Sequence, residues 1–294
     1  MGKPAKVVAE IGCNHKGDMS IARELIAIAA DQCKADFVKF QKRTNRELLT
    51  PEEYDRPHPN PDNSYGPTYG AHREFLEFTQ DQHRELIAYC AEKNIGYSTS
   101  VWDVTSAREM AALQPEFLKV PSASNLFFEM LSVLTDEYGG GIQLSLGMTT
   151  QAEEDRIVEF FEKKGRARDL VLYACTSGYP VEFDDIALLE ITRLKGKFDG
   201  RVQSIGFSGH HLGIAADIAA LALGAEWIER HFTLDRTWKG TDHAASLEPD
   251  GLRRLCRDVR HVSKALEYKR QEQLPVELAT RAKLKREPSA GAPA

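Results

Sequence analysis

The sequence predicts a single α/β domain closed as an eight-stranded parallel barrel, and three observations carry that expectation. Eight short apolar runs recur along the 294 residues, helical spacing fills the stretches between them, and nearly every run ends in a group fit for chemistry. In a (β/α)8 (TIM) barrel all C-terminal strand ends share one face, where such barrels keep their active sites. The runs are near-continuous rather than alternating, as strands covered by helices on both sides of a parallel sheet are. An open doubly wound sheet is the competitor, but no G-x-G-x-x-G follows the first run.

Taken in order, VVAEIGCNH (7–15) supplies the first strand and SIARELIAIAADQC (20–33) its helix, with apolar residues every three or four positions. FVKFQKR (37–43) is the second strand. Then 44–79 runs long, rich in Pro, Asn and Gly with five aromatics, and reads as a partly ordered cover over the barrel mouth. DQHRELIAYCAEKN (81–94) leads to IGYSTS (95–100), followed by FLKVPSAS (117–124), IQLSLGM (142–148), LVLYACTSGYP (170–180) and SIGFSGHH (204–211). GIAADIAALALG (213–224) precedes the eighth strand, WIERHFTL (227–234). Gly96, Gly165 and Gly224 follow helical runs and read as helix stops. The barrel is expected over 1–268, and 269–294 as a mobile tail.

Composition narrows the function. A net charge of −6 with no long basic run gives little support for nucleic-acid binding. No apolar run approaches a membrane span, and no signal-peptide layout opens the chain. The five cysteines form no CxxC pair, so reduced thiols and a cytoplasmic location are expected, with Cys33, Cys90 and Cys256 as small core residues.

The strand ends bring chemistry together. Lys39 and Lys119 on one rim read as an anion clamp, as Schiff-base nucleophiles, or as lysines reaching for solvent. Ser98, Thr99, Ser100, Ser122, Ser124, Ser145, Thr176, Ser177 and Ser208 surround them, and such hydroxyls with ammonium groups suit a phosphate-bearing ligand. His210 and His231 end neighbouring strands, close enough to share one divalent ion; Mn, Zn, Co or Fe suits imidazole, and Mg fits if phosphate supplies oxygens. His15, His211 and His243 are weaker candidates. Glu10 reads as a general base, a holder of metal-bound water, or a partner for the strand-two lysine. Asp242 suits a polyol, a metal water or an ordinary turn.

The motifs AEIGCNHKGD (9–18), KFQKR (39–43), TYGAHREFLEF (68–78), LKVPSA (118–123), SLGM (145–148), CTSGYP (175–180), GFSGHH (206–211) and ERHFTLDRTWKGTDHAASLEP (229–249) resemble the sialic acid synthases. That family condenses phosphoenolpyruvate with an N-acylmannosamine, and KFQK, TYG-x-H and KGTDHAASLEP look most like its branch acting on a 6-phosphorylated sugar. The resemblance implies a carbon–carbon bond-forming transferase of carbohydrate biosynthesis, with His210 and His231 as ligands to Mn or Mg. It implies Lys39, Thr99, Lys119, Ser122, Ser145, Ser177 and Ser208 at phosphoenolpyruvate, with Gln41, Tyr179 and Asp242 at the sugar. Glu10 would position or deprotonate water, and the assembly would be a homodimer. Two departures affect sugar recognition: an expected acid is Ser124, and the chain ends where the family's antifreeze-like domain is expected to begin. A different aldose is therefore open as acceptor. A Schiff-base aldolase, a metal-dependent hydrolase and a degenerate sugar- or phosphate-binding protein are the rival readings.

Overall fold

In the computed structural model, which describes residues 5–286, eight parallel strands pair in sequence order and close, β1 against β8. They are β1 Lys6–Gly12, β2 Phe37–Lys42, β3 Gly96–Val101, β4 Phe117–Val120, β5 Gly141–Ser145, β6 Leu170–Cys175, β7 Ser204–Gly209 and β8 Trp227–His231. All eight expected strands are present. The outer helices are α1 Met19–Ala27, α2 Asn45–Leu48, α3 Pro51–Asp55, α4 Tyr69–Phe75, α5 Gln80–Glu92, α6 Val104–Ala111, α7 Phe128–Glu137, α8 Gln151–Lys163, α9 Glu190–Phe198, α10 Ala215–Ala222, α11 Pro249–Ala265 and α12 Pro275–Leu284.

Side chains alternate across each strand, so every strand feeds two cores. The outward set packs under the helices, where Cys33, Cys90 and Cys256 are buried among Val, Leu and Ile as expected. The inward set begins with Val8, Phe37 and Phe117, with Trp227 packed against them. The Phe37 and Phe117 ring centroids lie 5.1 Å apart, and those of Phe117 and Trp227 5.4 Å, both edge to face. This aromatic plug closes the N-terminal end of the barrel.

Gly96 belongs to that plug and is not a helix stop. It pairs with Phe37, whose ring occupies the space a Cβ would need. The left-handed residue after α5 is Asn94, at φ 54°; Asn tolerates that region by bonding its own backbone. Gly165 and Gly224 do take positive φ after α8 and α10, as expected.

The long segment after β2 is more ordered than the sequence suggests. It folds into α2, α3 and α4, with Thr50 and Thr68 accepting the first free amides of α3 and α4. The tail is helical over Pro275–Leu284 without a buried residue, and its residues 287–294 lie outside the described ones. Among the described residues no helix is long and apolar enough to cross a membrane.

Truncation of Phe117 to Ala removes the centre of the plug and is expected to cost about 3–5 kcal/mol in urea unfolding, the range for a buried Phe.

Candidate active site

Above the plug, the same alternation turns polar. Glu10, Lys39, Gln41, Ser100, Lys119, Ser145, Cys175, Ser208, Glu229 and His231 all line one cavity of about 480 Å3 at the C-terminal face. The loops beyond the strands add Ser122, Ser177, Tyr179, His210 and Asp242, and the segment after β2 adds His58, Tyr69, His72 and Arg73.

The floor is an alternating row of buried charges. Lys39 Nζ contacts Glu10 Oε2 and lies 3.9 Å from Glu229 Oε2; Lys119 Nζ donates to both Glu229 oxygens at 2.9 and 2.8 Å. Ser100 Oγ accepts from Lys39 at 2.7 Å, and Ser208 Oγ donates to Glu229 at 3.1 Å. Lys119 also sits 3.9 Å above the Tyr173 ring, whose hydroxyl donates to Gln143. The two carboxyls respond oppositely. Burial, reinforced by Glu229 and opposed by Lys39, raises Glu10 to about 7. Glu229 is buried too, but Lys119 and Lys39 outweigh that burial and hold it near 2. Burial lowers Lys119 below its ordinary value, and Glu229 beside it opposes that shift. Two buried lysines, each paired with a carboxylate, suit an anion clamp.

Hydroxyls ring the floor. The oxygens of Ser122 and Ser177 both lean over Gly147, leaving no space there for a Cβ. Asn125 holds that loop, donating to the carbonyls of Ser145 and Gly147 at 3.0 and 3.3 Å. Hydroxyls converging on a glycine backbone beside an ammonium group suit a phosphate.

His210 and His231 stand with ring centroids 5.3 Å apart, and Tyr179 packs on both at 4.4 and 5.9 Å. Burial is the main cause that pushes both histidines below the ordinary value, His210 to about 3, so both rings are neutral near pH 7. His210 Nδ1 faces the Thr176 carbonyl at 3.2 Å; donation there leaves its Nε2 lone pair free. His231 Nδ1 is buried without a hydrogen-bond partner, 3.9 Å from Asp242 Oδ2. Asn14 holds the β8 end through the Phe232 carbonyl and Ser246, and Ser246 donates to the Asp242 carbonyl. Gly12, at φ 53°, leaves room for Glu10 and Asp242 to approach one another. Two neutral imidazoles with an orphaned ring nitrogen fit a divalent ion with two protein ligands. Among the described residues no third His, Cys, Asp or Glu completes a set of three.

Some expected residues lie elsewhere. Thr99 is buried but shares the outward face with Tyr97, so Ser100, one residue on, is the hydroxyl that reaches the cavity. Ser124 donates to the Trp102 carbonyl and Ser98 to that of Phe117. Thr176 Oγ1 donates to the Asp185 carbonyl. His15 stacks on Phe78, His211 joins a buried Arg230–Asp217 pair, and His243 bonds Thr233. Glu229, Arg43 and Arg73 were not anticipated from the sequence. Glu229 had a signal: it lies two residues before His231 and so shares its face.

A double-mutant cycle tests the floor. Glu229→Met leaves Lys119 buried and unpaired and is expected to cost about 3–5 kcal/mol in chemical denaturation; Lys119→Met leaves Glu229 with Lys39 at 3.9 Å and Ser208, and is expected to cost less. The double variant should cost clearly less than the sum.

Comparison with known proteins agrees with this geometry. The NeuB family matches residues 25–271. The N-acetylneuraminate-9-phosphate synthase of Homo sapiens is 38% identical over 281 residues, 96% of this chain and 76% of that protein. The N,N'-diacetyllegionaminic acid synthase of Campylobacter jejuni is 34% identical, covering 90% of this chain and 78% of its own. The crystal structure of the N-acetylneuraminic acid synthetase of Leptospira borgpetersenii, bound to citrate, superposes with a TM-score of 0.80 at 30% identity, covering 97% of this chain and 94% of that one. On the family match and these identities, the chain belongs to the NeuB family.

Proposed function

We propose that this protein joins carbon 3 of phosphoenolpyruvate to the aldehyde of an acylamino sugar, N-acetylmannosamine or a relative, giving a sialic-type 2-keto-3-deoxy acid and phosphate. The observation that carries the reading is the floor, where two buried ammonium groups sit beneath a ring of hydroxyls and beside two neutral imidazoles. Family membership and the names of the relatives support it.

In this reading Lys39, Lys119, Ser122, Ser145, Ser177 and Ser208 hold the carboxylate and phosphate of phosphoenolpyruvate, with Ser100 in the place expected for Thr99. Binding the two substrates together converts a collision into an oriented step. Gln41, Tyr179 and Asp242 face the sugar. His210 and His231 would hold a divalent ion, Mn or Mg, which supplies Lewis acidity to the aldehyde oxygen. The enol π pair of carbon 3 bonds to the aldehyde carbon, whose C=O π pair moves to oxygen and takes up a proton; water adds at carbon 2, and its carbon–oxygen bond to phosphate breaks as the 2-keto group forms and phosphate leaves. Glu10, raised to about 7, is poised to take the proton from that water. Five free cysteines support a cytoplasmic location. Exposed Met148, Phe183, Leu189 and Leu212 on loops of the barrel mouth support association, as a homodimer.

The deciding assay is phosphate release from phosphoenolpyruvate with Mn and a panel of aldoses that includes N-acetylmannosamine and its 6-phosphate. Release requiring both metal and one aldose is expected; none with any aldose contradicts the reading. A borohydride trap with pyruvate should give no adduct, whereas a Schiff-base aldolase would be labelled.

His231→Ala should abolish turnover without changing the circular dichroism spectrum or melting temperature, because the residue ends a strand above the core. A base works only when ionised, so kcat/KM should rise with pH through about 7. Glu10→Gln should lower kcat by about 10²–10⁴-fold and flatten that limb; an unchanged limb would assign it to another group.

A further inference from the structure

The ladder between β7 and β8 ends at the pair Gly209 and Arg230, and His210 lies one residue beyond it. The backbone that carries this imidazole is therefore fixed by other means. Toward β6, the His210 carbonyl accepts from the Val181 amide at 3.1 Å and its Nδ1 faces the Thr176 carbonyl. Toward β8, the fastening comes from a side chain.

That side chain is Arg230. Glu229 and His231 line the cavity, so alternation places Arg230, between them, on the outer side of β8. Its Nη2 donates to the His211 carbonyl, and its Nη1 donates to the Gly213 carbonyl at 2.8 Å and to Asp217 in the first turn of α10. One planar fork thus spans the turn that follows His210. His211 fills the space left: its Nε2 lies 3.1 Å from Arg230 Nη1 and 3.3 Å from Asp217 Oδ2, and its ring occupies the place a Cβ on Gly209 would need. All three side chains are buried. Such an ion pair is a poor source of stability, because apolar residues of the same volume often serve as well. What apolar residues cannot do is hold two carbonyls of an irregular turn.

We infer that Arg230 is a positioning residue for the two imidazoles: it fastens the turn after His210 to the strand that ends in His231, and so sets the separation at which both rings reach one divalent ion. This rests on the divalent-ion reading above. The ring centroids stand 5.3 Å apart. Metal–ligand distances tolerate errors of only about 0.2 Å, so a turn free to shift loses affinity before it loses fold.

The test reads Mn binding to the substrate-free protein, from the electron paramagnetic resonance signal of the free ion. Calorimetric binding of phosphoenolpyruvate without metal, and thermal melting, are measured beside it. Arg230→Met combined with Asp217→Leu removes both ions at similar volume and strands neither charge. Arg230→Lys keeps a charge beside Asp217 but puts one nitrogen where two stood, so it cannot reach both carbonyls. Mn affinity should fall roughly 10- to 100-fold in the double variant, the range for groups that orient metal ligands, and by a smaller factor in Arg230→Lys. Phosphoenolpyruvate affinity should stay unchanged in both, since the floor is untouched. Wild-type Mn affinity in a folded double variant would overturn the inference, as would an equal loss of phosphoenolpyruvate affinity. Should the double variant not fold, wild-type Mn affinity in Arg230→Lys would equally overturn it. A wild type that binds no Mn, or a His231→Ala variant that binds it as tightly as wild type, overturns the divalent-ion reading and this inference with it.

Discussion

The row of buried charges Glu10, Lys39, Glu229 and Lys119 is the constraint around which the site is arranged. Four ions out of water are tolerated only because each faces an opposite charge. The aromatic plug beneath them excludes solvent from the N-terminal end, and Tyr173 closes the space under Lys119. In that low-dielectric setting fixed charges and dipoles act on a ligand more strongly than in water. One carboxyl titrates near 7 while the other stays ionised, so a group that can exchange a proton and a permanent counter-charge stand side by side.

The barrel makes this arrangement from short-range rules. Register pairs Glu10 with Lys39 on one side and with His231 on the other, which sets its carboxyl beside both the ammonium and the imidazole. Two asparagines finish the geometry. Asn14 joins the β1 end to the β8 end, and Asn125 holds the glycine loop under the serines. The segment after β2 completes the cavity wall with groups that no strand end provides.

Much of this was legible in the sequence. Apolar runs set the strands, and the polar residue closing each run set the rim, because a parallel barrel directs all such ends to one face. Legibility failed where one residue of register decides the outcome. Ser98, Thr99 and Ser100 are chemically similar; pairing with β2 sets Thr99 beside the outward Phe40, and Ser98 is taken by the Phe117 carbonyl, which leaves Ser100. Glu229 sits inside an apolar run and reads as strand rather than as chemistry. Gly96 looked like a helix stop because its real constraint, the Phe37 ring, is distant in sequence. Arg73 could not be recognised, since its place in the cavity exists only once the cover is folded.

The central claim is that an anionic substrate binds on this charge row beside Glu10. Calorimetric titration of phosphoenolpyruvate at pH 7, in buffers of different ionisation enthalpy, tests it most directly. A trianion arriving near Glu10 disfavours the ionised carboxyl, so binding should draw a proton from the buffer and move the rising limb of kcat to higher pH than that of kcat/KM. The predicted result is proton uptake that is larger in wild type than in Glu10→Gln. Binding with identical proton balance in the two proteins, or no binding, would contradict the account.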